Sequence, residues 1–127
     1  MRTIIAALTI GIIACQSVPT EVPELEPKEY FQRAQEAVVE RGDYNTALFY
    51  YQTFLERHSD QLQLSVEAEY EIAFIHYKLG DEALARGEFA ALLEKYRGDV
   101  AQVLPRWPMV LSENVLSEMD LSVTAEE

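Results

Sequence analysis

The sequence contains the same Gly-Asp turn twice, at Gly42-Asp43 and at Gly80-Asp81, and the two glycines are 38 residues apart. Each turn follows a stretch with apolar residues at helical spacing and precedes a second amphipathic segment, residues 44–57 or 82–96. The second segments match position by position: Ala47 with Ala85, Tyr51 with Phe89, Phe54 with Leu92, and Leu55 with Leu93. These spacings place the matched residues on one helical face, with alanine where two helices approach closely. The repeat predicts two stacked helix-turn-helix units.

The segment from Gly42 to Leu55 resembles the second helix of the tetratricopeptide repeat (TPR), whose pattern is G-D-Y-x-x-A-x-x-Y-Y-x-x-x-L. The second copy departs from this pattern at Glu82, where tyrosine is usual, and at Gly87 inside the helix. The resemblance implies an all-α fold in which antiparallel helix pairs form a TPR-like stack. It implies about two repeats, over residues 28–59 and 66–97, with a longer loop at residues 58–63.

A stack of only two repeats needs a cap over its end. Pro105 and Pro108 restrict where a further helix begins, so we predict a capping helix at about residues 107–120. In our preferred interpretation Trp107 plugs the end of the stack; an exposed contact residue is the alternative. The predicted helical domain spans residues 28–121, and residues 122–127 are expected to form a disordered tail.

The first residues have the organisation of a bacterial secretion signal. A single basic residue is followed by an uncharged apolar run that is too short to span a bilayer, so we predict a signal peptide at residues 1–14. The sequence Ile12-Ile13-Ala14-Cys15 resembles the lipobox of bacterial lipoproteins, which implies cleavage before Cys15 and attachment of diacylglycerol to its thiol. The alternatives are an ordinary cleaved signal with an incidental cysteine, or an uncleaved anchor.

The segment between this cysteine and the first predicted helix is rich in proline and glutamate. Pro19, Pro23 and Pro27 discourage helix and favour extended chain, while interspersed glutamates keep it solvated. We therefore predict that residues 15–27, including the lipidated Cys15, form a flexible tether between the membrane and the domain.

The charge and residue content exclude several classes of function. A net charge of −12 disfavours binding to nucleic acid or electrostatic docking on anionic lipid. A single cysteine permits neither an intramolecular disulfide nor a cysteine-based zinc site. The two histidines, His58 and His76, stand apart from any metal-ligand motif, and we expect His76 to be a packed repeat residue. We predict no enzymatic activity, no metal and no cofactor.

In TPR proteins the first helices of the repeats line a concave groove. The resemblance implies a partner-binding groove that contains Gln32, Glu36, Val39, Glu40, Tyr70, Phe74, Tyr77 and Lys78. An acidic rim beside an aromatic strip suits a peptide with apolar and basic side chains, and does not suit capture of a carboxylate. The alternative is that the aromatic residues only pack helices together.

Taken together, the lipobox, the tether and the repeats resemble small envelope lipoproteins of the BamD-like and Tol-Pal-coordinator-like types. We expect a membrane-anchored adaptor that binds other proteins of the cell envelope, on the periplasmic face of the outer membrane. The alternatives are an accessory that docks a periplasmic solute-binding protein or transporter, and a surface-exposed structural lipoprotein. Self-association through an exposed end of the stack also remains open.

Overall fold

A computed structural model describes residues 18–125 of the chain, and within that range the only regular elements are helices. The predicted all-α class is therefore confirmed. The α-helices are α1 (Pro27–Arg41), α2 (Tyr44–Arg57), α3 (Leu62–Lys78), α4 (Glu82–Lys95) and α5 (Trp107–Ala125), and a short 3-10 helix (Ala101–Val103) precedes α5. No helix in this part of the chain is long and apolar enough to cross a membrane. The predicted signal peptide and Cys15 lie outside the described residues.

The two Gly-Asp turns end one helix and begin the next. Gly42 and Gly80 adopt the left-handed conformation, with φ of 62° and 88°, which glycine reaches without steric cost. Asp43 then caps α2, because its carboxylate accepts a hydrogen bond of 3.0 Å from the backbone N–H of Thr46. Asp81 stands at the same place before α4 but makes no such side-chain bond. The same turn is thus capped in one unit only.

Helix α3 is shared by two hydrophobic clusters. One face, with Ala68, Ile72 and Ile75, packs into a cluster with α1 and α2. Another face, with Val66, Tyr70 and Ala73, packs into a cluster with α4 and α5. Because it is enclosed from two sides, α3 is the central helix and leaves only part of its surface for contact with other molecules.

Residues 22–27 pack on the domain, so for this part of the segment the prediction of a flexible tether over residues 15–27 is corrected. Val22 and Leu25 are buried, each with 8% of its surface exposed. Arg57 donates hydrogen bonds to the backbone carbonyls of Val22 (3.1 Å) and Pro23 (3.2 Å). Pro27 is the first residue of α1. Buried apolar surface and satisfied carbonyls therefore hold residues 22–27 in place, and prolines explain only why the segment is extended.

The end of the chain also differs from expectation, because α5 continues to Ala125. The predicted disordered tail, residues 122–127, is thus wrong for residues 122–125, while the last two residues lie outside the described range. Met119 is buried and anchors the last turns, and the sequence after it has no proline or glycine to end the helix. The hydroxyls of Ser122 and Thr124 donate to carbonyls three residues back.

Candidate partner-binding cavity

An open cavity of about 330 Å³ lies between α1, α2 and α3. We call it the groove cavity. Its lining residues are Gln35, Val38, Val39, Tyr44, Tyr51, Glu71, Phe74 and Ile75. All but two of these side chains are aliphatic or aromatic, which is the usual character of a binding pocket with a few polar groups.

Helix packing explains why these side chains face one another. On α1, the fully buried residues Tyr30, Ala34 and Ala37 form the stripe that packs into the core with α2. Val38 lies beside that stripe, and Val39 lies one step further out, at the edge, with 83% of its surface exposed. From the other side α3 contributes Phe74, which packs as a partly buried residue beside the second cluster. The cavity is thus bounded by side chains from α1, α2 and α3.

Among residues 18–125, Glu71 is the only carboxylate that lines the groove cavity. Burial raises its pKa above the ordinary value of 4.5, and the negative charge of Glu67, one turn earlier on α3, raises it further. Within residues 18–125 the carboxylate of Glu71 takes part in no salt bridge and no hydrogen bond. In this part of the chain it is a desolvated acidic group without a compensating cation.

Tyr51 lines the same cavity as this carboxylate. Only 2% of its surface is exposed, and burial raises the pKa of its phenol above the usual range. The charge of Glu71 raises that pKa further, which places the two groups within electrostatic reach. Tyr51 therefore stays protonated at all physiological pH values and offers a neutral hydroxyl beside Glu71.

An aromatic strip continues from the cavity along α3 to the start of α5. The ring of Phe74 stacks on Tyr70 with centroids 5.9 Å apart and lies 6.2 Å from the ring of Tyr77. Trp107 meets Tyr70 edge-on at 5.2 Å and keeps 37% of its surface exposed. Burial, followed by the charges of Glu71 and Glu118, raises the pKa of Tyr70 to about 12. Trp107 thus both packs on the end of the bundle and presents surface to solvent.

The predicted groove residues divide into four groups. Val39 and Phe74 line the groove cavity, and Tyr70 and Tyr77 belong to the aromatic strip. Lys78 lies in the last turn of α3, outside the cavity lining. The remaining three lie on the outer surface of α1, away from the cavity: Gln32, Glu36 and Glu40.

Gln32, Glu36 and Glu40 are exposed on α1 and are not among the residues that line the cavity. The amide of Gln32 instead donates a hydrogen bond of 2.9 Å to Glu36 on the exposed face. Their role in partner binding stays a prediction, separate from the cavity. The sequence did not predict the other six lining residues, which are Gln35, Val38, Tyr44, Tyr51, Glu71 and Ile75. The helical spacing of Val38 from Ala34 and Ala37 could have predicted that Val38 lies beside the buried face of α1. No sequence pattern indicated that Glu71 lines a cavity.

The two histidines have structural surroundings. His76 is largely buried, as predicted, and its Nδ1 lies 2.7 Å from the carboxylate of Glu88, which joins α3 to α4. His58 stacks on Phe54 with ring centroids 5.5 Å apart. Over residues 18–125, no group of three or more histidine, cysteine, aspartate or glutamate side chains could hold a metal ion.

Comparison with known proteins adds one relative. The chain is 35% identical over 97 residues to an uncharacterized protein of Treponema pallidum (strain Nichols), an alignment that covers 74% of this chain and 38% of the relative. The chain thus spans well under half the length of that protein. No protein-family model and no solved structure matches the chain. The fold and the cavity define an all-α helical domain with an open, largely apolar pocket.

Proposed function

We propose that this protein is a lipid-anchored adaptor of the cell envelope that binds a segment of a partner protein along the groove cavity and the aromatic strip. The main observation that supports this proposal is the groove cavity. It is open to solvent, it is lined by aromatic and aliphatic side chains, and the exposed Val39 stands at its edge. Apolar surface of this kind is costly to leave in water and marks binding sites.

A TPR-like stack is the architecture we propose for the domain, and equal burial at equivalent positions supports it. Ala47 and Ala85 are both completely buried. Phe54 and Leu92 also match, with 0% and 1% of their surfaces exposed. In both units the most extensive helix contacts join the two helices on either side of the Gly-Asp turn. A repeated unit with a repeated contact pattern is what a solenoid requires.

The proposed anchor at Cys15 sets how far the domain extends from a membrane. Because Val22 is already packed on the domain, only residues 16–21 separate the lipid from the fold. A fully extended chain gains at most about 3.5 Å per residue, so the domain surface would lie within about 25 Å of the bilayer. An adaptor held so close would meet partners at the membrane face.

Site-specific cross-linking in cells that make the protein tests this proposal. A photoreactive amino acid at Val39 is expected to capture a partner protein, identified by mass spectrometry after detergent purification. The control carries the same group at Glu56, which is exposed on α2 and does not line the cavity. Capture of outer-membrane or cell-wall assembly proteins from position 39 alone supports the adaptor function.

Other outcomes of the same experiment separate the alternatives. Capture of a transporter subunit or solute-binding protein at position 39 would place the protein in solute uptake instead. Recovery of the protein itself would make self-association the function of this surface. Equal capture from positions 39 and 56 would contradict a binding role for the cavity.

A further inference from the structure

The carboxylate of Glu71 sits where a charge lowers the stability of the fold. It is desolvated by a cavity wall that includes Val38, Phe74 and Ile75. Burying an ionised carboxylate is unfavourable unless a cation or several hydrogen bonds compensate it. Residues 18–125 supply neither to Glu71. The fold of the free protein therefore gains nothing from an acid at this position.

The charge that acts on Glu71 from its own helix is also negative. Glu67 lies one turn away on the same face of α3 and acts on the Glu71 carboxylate. Lys78, the basic residue on this face, lies seven positions along the helix, about 10 Å away at 1.5 Å per residue, and forms no ion pair within residues 18–125. The protein as a whole carries a net charge of −12. Both the neighbouring Glu67 and the net charge of the protein would therefore favour a cationic ligand.

We propose that the groove cavity binds a lysine or arginine side chain of the partner segment, with the cation paired to Glu71. This inference rests on the proposed function, because it names the chemistry recognised at the same site. The aliphatic part of the bound side chain would lie against Val38, Val39 and Phe74, while its charged end meets the carboxylate. The hydroxyl of Tyr51 and the amide of Gln35 provide additional hydrogen-bonding groups at the site.

The composition of the cavity favours this occupant over others. An anion would be repelled by Glu71, and a purely apolar side chain would leave the carboxylate buried and unpaired. A long basic side chain matches both the apolar wall and the carboxylate of the cavity, since its stem is apolar and its end is positively charged. The aromatic rings of Tyr44 and Phe74 also offer faces that attract a cation.

Selection from a phage-displayed library of short random peptides tests the inference with the full-length protein in detergent. Three proteins are compared: the wild type, E71Q and E56Q. Glu56→Gln makes the same chemical change at an exposed position of α2 that does not line the cavity. We expect wild type and E56Q to enrich peptides with a lysine or arginine between apolar residues, and E71Q to lose the basic residue from its consensus.

A synthetic peptide from the wild-type selection then measures the contact directly. Replacing its arginine by the neutral isostere citrulline, or its lysine by norleucine, is expected to weaken binding to wild type by about tenfold or more, as for a hydrogen-bonded charge pair. The same replacement should change the affinity for E71Q much less, because the partner charge is already absent.

A fourth protein, V39R, separates failure of the inference from failure of the proposed function. Val39 is 83% exposed, so arginine there should leave the fold intact while it covers the edge of the cavity with positive charge. One outcome would overturn the inference but support a binding groove. In that outcome the selected peptides carry no basic residue, bind wild type and E71Q equally, and do not bind V39R. Selection of no peptide, or of peptides that V39R still binds, would overturn both.

Discussion

The guanidinium of Arg57 donates a hydrogen bond of 2.9 Å to the hydroxyl oxygen of Tyr30, whose ring is completely buried between α1 and α2. The same guanidinium holds the backbone carbonyls of Val22 and Pro23. One side chain near the end of α2 thus connects the first helix to the segment that precedes it. This connection makes residues 22–26 part of the domain.

Loss of Arg57 should therefore weaken both attachments. We expect Arg57→Ala to lower the free energy of unfolding by about 2 kcal/mol, because it leaves the Tyr30 hydroxyl and two carbonyls without their donor. Denaturant titration measures this loss, and limited proteolysis should cut the chain between residues 18 and 26 more readily. Arg97→Ala is the control, since the one salt bridge of Arg97 within residues 18–125 is an exposed contact with Glu94. Equal effects of both substitutions would show that Arg57 does not hold the segment.

Glu71 should make the stability of the protein depend on pH. Because its pKa is raised in the folded state, the folded protein binds the proton more tightly than the unfolded chain does. The protein therefore loses stability as the pH rises above 4.5, the ordinary pKa of the carboxyl group, and through the raised pKa of Glu71 in the folded state. We expect E71Q to be more stable than wild type at pH 7 and nearly equal to it below about pH 4, as measured by thermal unfolding. A lower melting temperature for E71Q at pH 7 would mean that the charge stabilises the fold.

Two glycines of the second unit should respond oppositely to alanine. Gly80 has φ of 88°, where a Cβ is strained, so Gly80→Ala should cost about 1 kcal/mol. Gly87 lies inside α4, and apart from its chain neighbours and its own helix backbone, no atom of residues 18–125 would lie within 4 Å of a methyl group added there. Gly87→Ala should therefore stabilise the fold by about 0.8 kcal/mol through helix propensity. Urea unfolding of the two variants side by side checks the signs. A destabilising Gly87→Ala would indicate that α4 needs this glycine for a contact.

The two turn aspartates should also differ. Asp43→Ala removes a helix cap and should cost about 1 kcal/mol, whereas Asp81→Ala, which removes no such bond, should cost clearly less. The hydrogen bond from Thr46 lowers the pKa of Asp43 below 3.8, so its contribution is present above that pH and is lost as the pH falls through the lowered value. Chemical unfolding at about pH 7 and about pH 2.5 measures both effects. Equal losses for the two aspartates at neutral pH would contradict the assignment of Asp43 as the cap.

The proposed anchor has a direct test at Cys15. We expect the protein to incorporate radioactive palmitate in bacterial cells and to sediment with membranes. Cys15→Ser should abolish the label and leave the leader uncleaved or processed elsewhere, because no thiol is present to receive diacylglycerol. Gln16→Ser is the control and should still be labelled. Unlabelled wild type would remove the lipid anchor from the proposed function.

The positions of the helices could be predicted from the sequence, because the residues that begin and end a helix lie at its ends. A glycine that reaches positive φ ends a helix wherever the surrounding chain allows, and an aspartate after it favours a new start. Gly42 and Gly80 therefore predicted both turns. The ends of the domain were less predictable: Val22 and Leu25 carry no helical period, and their burial depends on a surface that α1 and α2 form together.

The apolar repeat by itself determined that this protein is all-α, where its two Gly-Asp turns lie, and which faces of α2 and α4 are buried. Only the tertiary structure decided that α3 is enclosed by two clusters and that α1 turns Val38 and Val39, rather than Glu36, toward it. Glu71 became a candidate binding residue for the same reason. Periodicity defines which residues share a face of one helix, but the groups that meet a given side chain depend on how separate helices pack.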